Sequence, residues 1–241
     1  MKIFVIIPAI NEEQSIGKVI NDIPLYNDYG KVNEIIVVDN GSSDGTAAAA
    51  ERAGATVLKE HKRGYGNACL KGMEHVYKNN PSENDIIVFL DGDYSDFPGE
   101  MINIIKPIIE EGNDMVLGSR ILGMKEGLTE EGALLPQALF GNWLSTRLIK
   151  LIWKYSYTDL GPFRAVKISS LKKMKMADRN FGWTVEMQIR AAQLKMKCKE
   201  VPVSYRKRKG ESKVTGTITG SVKAGVKILW VIFRLASGKG T

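Results

Sequence analysis

Cysteine and histidine are almost absent from this chain: its 241 residues hold only Cys69, Cys198, His61 and His75. The two cysteines are far apart and no Cys/His group has metal-ligand spacing, which excludes a disulfide framework and a structural zinc site. No stretch supplies the ~18 uninterrupted apolar residues of a membrane-spanning helix, because Lys223, Lys227 and Arg234 break up the last apolar segment. The apolar start, MKIFVIIPAINEEQ, is too short for a secretory leader and runs into acids, so it reads as a buried first strand. Internal repeats and low-complexity tracts are also missing. Acids become scarce toward the end: residues 195–241 carry twelve Lys/Arg against Glu200 and Glu211 only. The formal charge of +7 therefore resides wholly in that last fifth, and residues 1–194 come to −3. A localised basic segment attracts anionic lipid, nucleic acid or a phosphorylated substrate.

What is present is an ordinary globular composition, 44% hydrophobic and 25% charged, in a length that suits one α/β core. Short β-branched runs at Ile3–Ile7, Glu34–Val38, Thr56–Leu58, Asp85–Leu90 and Met115–Leu117 predict buried strands. Helical patterns at 12–22, 44–54, 65–79 and 98–112 lie between them, with Asn11 and Asp44 as caps and Gly54 and Gly112 as stops. The alternation predicts a Rossmann-like, mostly parallel sheet with helices on both faces. Beyond residue 120 the spacing predicts a mobile loop over 123–132 and a helix over 136–154. A strand near 163–166, a helix near 183–194 and an extended stretch over 198–206 follow.

Open sheets of this kind bind ligands beyond the carboxyl ends of their strands. Polar residues gather there: Pro8-Ala9-Ile10-Asn11-Glu12 after the first strand, Asp39-Asn40-Gly41-Ser42-Ser43-Asp44-Gly45 after the second, Asp91-Gly92-Asp93 after the fourth. One acid at a strand end is turn chemistry; three acid-bearing ends on neighbouring strands predict a site. Two carboxylates separated by Gly92 can converge on Mg²⁺ or Mn²⁺, hard cations that bridge to a diphosphate and offset charge on a leaving group.

In their order and spacing, IIPAINEE, VVDNGSSDGT, the Lys62-Arg63-Gly64-Tyr65-Gly66-Asn67-Ala68 loop, FLDGD, GSR at 118–120 and TDLGPFR at 158–164 resemble the large inverting GT-A family 2 glycosyltransferases typified by dolichyl-phosphate mannose synthase. VPVSYR at 201–206 and Gly210-Glu211-Ser212-Lys213 resemble that subgroup, and the set spans about residues 3–214. The resemblance implies a GT-A fold, a nucleotide-sugar donor and a divalent metal on Asp91 and Asp93. It also implies a nucleoside pocket lined by Pro8, Asn11, Glu12 and Asp39, with Asp39 toward the base and Glu12 toward the ribose. Gly64 and Gly66 would let the backbone approach the nucleotide. Gly92 would lie in the same donor site, and Arg120 and Arg164 would pair with phosphate. Asp159 would stand nearest the acceptor, as base or as positioning group. Arg164, Arg206, Arg208, Ser212 and Lys213 would grip an acceptor phosphate.

Two basic amphipathic segments accompany the motifs. In 137–154, Phe140, Leu144, Leu148 and Leu151 share one helical face beside Arg147, Lys150 and Lys154, with Trp143 and Trp153 added. In 221–236, Trp230 and Phe233 lie among Lys223, Lys227 and Arg234. Such helices lie in the head-group plane or pack on their own core. The sequence thus predicts a catalytic unit over 1–214 and an interfacial helix or tail over 215–241. The expected protein is peripheral on the cytoplasmic face of a membrane and binds no nucleic acid; a membrane-protein partner fits as well. Pro162 inside TDLGPFR departs from the family pattern and leaves the acceptor loop's shape open. The Gln-x-x-Arg-Trp element of processive synthases is absent, which implies single-sugar transfer. The expected reaction moves glucose or mannose from a UDP- or GDP-sugar to dolichyl or undecaprenyl phosphate, with a soluble or glycolipid hydroxyl as the alternative acceptor. A sugar-1-phosphate nucleotidyltransferase would need a Gly-rich, Arg-bearing loop after the first strand, which IPAINEEQ does not supply.

Overall fold

The computed structural model describes residues 1–27, 29–209 and 218–238. One sheet organises the chain, in the order β2(Tyr26–Asn27), β3(Gly30–Asp39), β1(Ile3–Ala9), β5(Ile86–Phe89), β7(Arg164–Lys167), β6(Met115–Ser119), β8(Cys198–Pro202), with β4(Thr56–Lys59) also on β3. β4, β3, β1 and β5 run parallel, as do β6 and β8. β7 is antiparallel to both its neighbours. The chain moves outward from β1 through β3 to β4, then returns to β5 on the other side of β1. That reversal opens a crevice at the carboxyl ends of β1, β3 and β5.

Every side chain of β1 is buried because both faces of the sheet are covered. Phe4 and Ile6 pack toward α3(Tyr65–Lys78) and α8(Trp183–Gln193), whereas Ile3, Val5 and Ile7 pack toward α1(Ile16–Asn21), α2(Thr46–Arg52) and α4(Met101–Glu110). α6(Pro136–Trp153) begins with proline at its first position and stops where Lys154 turns left-handed. α9(Ile218–Ala236) packs on α6 and α8 and buries Val231, Ile232 and Leu235 in the same core as Phe4.

Two helices escaped the sequence pattern. α5(Arg120–Lys125) occupies the start of the expected 123–132 loop, nucleated by Ser119, whose Oγ accepts from the N–H of Leu122. α7(Ile168–Met174) follows β7 directly. The antiparallel sense of β7 was also unread, and it matters. Arg164 sits opposite Phe89 and Leu117, so the loop preceding β7 reaches the edge where β5 and β6 end.

Candidate functional site

At the switch point lies a cavity of about 300 Å³ lined by Pro8, Ala9, Ile10, Asn40, Arg63, Gly64, Tyr65, Ala68, Asn180 and Phe181. The loops around it are cross-tied. Asn11, at φ 52°, accepts through Oδ1 from the N–H of Ser43 at 2.8 Å, which fastens the end of β1 to the end of β3. Asp39 is buried and accepts from the N–H of Ser42. Asn40 donates to the carbonyls of Glu60 and Lys62 and accepts from the N–H of Gly64 at 2.7 Å, holding the 60–64 loop over the cavity. Gly64 has φ 138°, and a Cβ there would stand 2.1 Å from the carbonyl oxygen of Arg179; at Gly66 it would meet that of Asp178 at the same distance. Glycine at these two positions permits the close passage of the 64–67 and 177–182 backbones.

Beside the cavity, Tyr65 donates to Asp91 Oδ1 at 3.0 Å. Burial, then the charge of Asp93, pushes the Asp91 carboxyl up to about 7. Asp93 is fixed through Oδ1 by the N–H and hydroxyl of Ser95, at 2.9 and 2.5 Å. Gly92 packs against Ile7, Ala9 and Ile16. Asp96 is fully buried, and burial together with Asp91 and Asp93 holds it well above the ordinary carboxylate range. This surplus of closely placed carboxylates is what a cation relieves. Among the described residues no three His, Cys, Asp or Glu side chains converge on one point. An ion here would take Asp91 or Asp93 and complete its shell with diphosphate and water oxygens, as Mg²⁺ and Mn²⁺ do.

Opposite stand the elements brought in by β6 and β7. Arg120 grips Asp159 with three donors: its N–H and Nε to Oδ2 at 2.9 and 2.8 Å, and Nη2 to Oδ1 at 2.8 Å. Burial would push Asp159 up, but Arg120 and main-chain N–H groups outweigh it and hold the carboxyl below its ordinary value. Glu200 on β8 accepts from the N–H groups of Thr158 and Asp159, and Gln188 donates to the Asp159 carbonyl, so the loop is fixed from both sides. Arg164, expected on phosphate, is instead wholly buried, donating to the carbonyls of Leu160, Gly161 and Thr184. It braces the loop before β7 from within the core. Arg120 likewise lines a second cleft rather than the first cavity. That cleft, of about 220 Å³, is walled by Gln137, Ala138, Gly141 and Asn142 of α6, Leu160, Thr184, and Ala224, Gly225 and Ile228 of α9.

The basic segment after β8 lies along the 93–97 loop, where the N–H groups of Arg206 and Lys209 donate to the carbonyls of Ser95 and Asp93. Arg206, expected on the acceptor phosphate, lies over the rings of Tyr94 and Phe97, 3.4 and 4.1 Å from their centroids, and donates to the Tyr94 and Asp96 carbonyls. It pins the 93–97 loop. Arg208 bridges two acids, 2.7 Å from Glu12 and 3.4 Å from Asp93. Ser212 and Lys213 lie outside the described residues. Of the expected donor residues, Pro8 and Gly64 line the cavity; Asn11, Glu12, Asp39 and Gly66 support its rim.

Glycosyl transferase family 2 matches residues 4–174. The chain belongs to this family. The glycosyltransferase is 30% identical over 223 residues to an uncharacterised glycosyltransferase of Mycobacterium tuberculosis, covering 91% of this chain and 93% of that one. It is 30% identical to the dolichyl-phosphate hexose transferase of Haloferax volcanii, with 87% and 85% covered, and 27% identical to the undecaprenyl-phosphate mannosyltransferase of Micrococcus luteus, with 94% and 93% covered. Among solved structures, Mycobacterium tuberculosis glucosyl-3-phosphoglycerate synthase in complex with Mn²⁺, UDP and phosphoglyceric acid superposes with TM-score 0.73 at 18% identity, covering 98% of this chain and 78% of that one. The fold of this family 2 glycosyltransferase is therefore GT-A.

Sequence reasoning missed Asn180 and Phe181 in the cavity wall and Glu200 beneath Asp159. Nothing local marks them: each lies outside the strand-end motifs and meets the site only through tertiary packing. Asn40 belongs to the polar run at the end of β3 and Tyr65 to the glycine-bearing 62–68 loop, and those runs were their signals.

Proposed function

We propose that this glycosyltransferase moves a single hexose, glucose or mannose, from a UDP- or GDP-sugar to a polyprenyl phosphate such as dolichyl or undecaprenyl phosphate. The observation that carries the acceptor reading is the second cleft. It extends from Arg120 to the seam of two amphipathic helices, α6 and α9. Such a shape suits an acceptor with a charged head and an apolar tail. Outward from the seam, α6 exposes Phe140, Trp143 and Leu151 and α9 exposes Val222, Val226, Trp230 and Phe233, with Arg147, Lys150 and Lys223 also exposed. Basic amphipathic faces of this kind bind the head-group layer of anionic membranes. No described helix is long and apolar enough to cross a membrane. The polyprenyl-phosphate enzymes among the relatives support the same acceptor.

On the donor side, the nucleoside enters the cavity between Pro8, Asn40 and Tyr65 and its diphosphate points toward Asp91 and Asp93. Asp91 or Asp93 would hold a divalent cation there, Mg²⁺ or Mn²⁺, which would supply Lewis-acid stabilisation of the leaving diphosphate. Arg208, held between Glu12 and Asp93, offers its charge to a phosphate at the boundary of donor and acceptor. Asp159 positions rather than deprotonates, since Arg120 pairs with both its oxygens and holds the carboxyl below its ordinary range, which weakens it as a base. A phosphate monoester needs no strong base, its second pKa being ~6. A hydroxyl acceptor would need one, which favours the lipid phosphate.

The test incubates the protein with Mg²⁺ or Mn²⁺, UDP- and GDP-hexoses and a short-chain polyprenyl phosphate, with mass spectrometry of the products. A hexosyl phospholipid is expected. Sugar appearing only on a polyprenol or glycolipid hydroxyl, with the phosphate untouched, overturns the acceptor assignment.

A further inference from the structure

Two buried carboxylates fold the 177–182 loop. Asp178, 1% exposed, accepts through Oδ1 from the N–H groups of Asn180 and Gly182 at 2.8 and 3.0 Å. Glu186, wholly buried on α8, accepts through Oε2 from the N–H groups of Ala177 and Asp178 at 3.0 and 2.6 Å. This loop forms one wall of the first cavity. It places Asn180 and Phe181 there, and its Arg179 carbonyl accepts from the N–H of Asn67 at 3.0 Å, against the Gly64 and Gly66 passage.

A buried carboxylate is costly unless a cation offsets it. Here α9 reaches across to both acids. Lys227 Nζ is 2.8 Å from Asp178 Oδ2, and Arg234 Nη2 is 3.6 Å from Glu186 Oε1, with Arg190 of α8 adding 3.4 Å. The Trp230 ring lies between the two α9 cations, 4.2 Å from Lys227 and 4.8 Å from Arg234. Val231 of the same helix packs so closely that a Cβ on Gly182 would stand 2.5 Å from its Cγ2. Neither Lys227 nor Arg234 lines the cavity.

We propose that α9 is a working part of the donor site: Lys227 and Arg234 are positioning residues that act through Asp178 and Glu186 to hold the Asn180–Phe181 wall of the nucleotide cavity. This rests on the reading of that cavity as the donor pocket. A wall ordered by α9 binds nucleotide better than one released from it, and by reciprocity bound nucleotide tightens the docking of α9. α9 also walls the acceptor cleft through Ala224, Gly225 and Ile228, so one helix touches both halves of the reaction.

The experiment measures UDP and GDP binding with Mn²⁺ by calorimetry in the full chain, without membranes, for wild type, Lys227→Met, Lys227→Arg and Lys106→Met. Wild type binds one nucleotide. Lys227→Met weakens it at least fivefold, raises donor KM and leaves kcat within twofold; Lys227→Arg recovers most of the affinity. Lys106→Met, the same charge change on distant α4, matches wild type. Folded Lys227→Met protein with wild-type affinity overturns the inference while leaving the donor reading intact. A wild-type protein that binds neither nucleotide overturns both. Hydrogen exchange of wild type supplies a measurement independent of variant folding: saturating nucleotide slows exchange over both 177–182 and 222–235, and unchanged exchange in α9 contradicts the coupling.

Discussion

Asp159→Asn separates positioning from base catalysis. Asp159 is 1% exposed and Arg120 is 18% exposed, and three short hydrogen bonds join them. Removing one member of such a pair leaves an uncompensated buried charge, a cost of roughly 3–5 kcal/mol. Arg120 also lies 5.1 Å from the Tyr205 ring and retains some access to water, which favours the lower end, about 3 kcal/mol. For a chain of this size that is a fall in Tm of roughly 6–12 °C. The folded Asp159 carboxyl titrates below its unfolded value. Its stabilisation is therefore complete above about pH 4 and lost only as pH falls through the folded value. Thermal melts of wild type and variant should differ by a constant amount from pH 6 to 9 and converge in acid. Activity should drop with the shape of its pH profile unchanged, because no proton passes through Asp159. A variant that melts within 2 °C of wild type, loses activity more than a thousandfold and loses a pH limb would refute this reasoning and establish a free base.

Gly66→Ala places a Cβ 2.1 Å from the Asp178 carbonyl oxygen and must displace the 177–182 loop by more than an ångström; nucleotide affinity by calorimetry should fall at least tenfold, and an unchanged Kd contradicts the close-passage argument. Asp91 gives a pH signature of opposite sign to Asp159. Because burial and Asp93 raise its folded value to about 7, stability should decline as pH rises from about 4 to 7, then level off. Asp91→Asn should flatten that slope in urea titrations, and millimolar Mn²⁺ should restore wild-type stability at pH 8; a slope that survives in the variant assigns it elsewhere. Phe233→Glu together with Val226→Glu should abolish flotation with anionic vesicles, and undiminished flotation rejects the α9 face as the membrane contact.

The half of the molecule built from local repetition was legible in the sequence. β1, β3, β5 and β6 and the helices between them announce themselves because buried strands are continuous apolar runs between amphipathic segments, whereas β4, expected to be buried, is a half-buried strand on β3 alone. The acids at the ends of β1, β3 and β5 followed from the same pattern. What was hidden depends on direction and depth. The antiparallel β7 has no sequence mark, yet it delivers Asp159 to the site. Arg164 and Arg206 look like phosphate ligands by residue type, whereas their guanidinium groups are spent on carbonyls and aromatic faces inside the fold. α9 carries an inward face of Lys227, Val231 and Arg234 that amphipathicity alone cannot distinguish from a solvated one.

The most direct measurement is anomalous diffraction from crystals soaked with Mn²⁺ and UDP or GDP. The account predicts a manganese peak within coordination distance of an Asp91 or Asp93 carboxylate oxygen, bridged to the diphosphate, with the nucleoside between Pro8, Asn40 and Tyr65. Manganese bound elsewhere, or nucleotide seated outside that cavity, would contradict it.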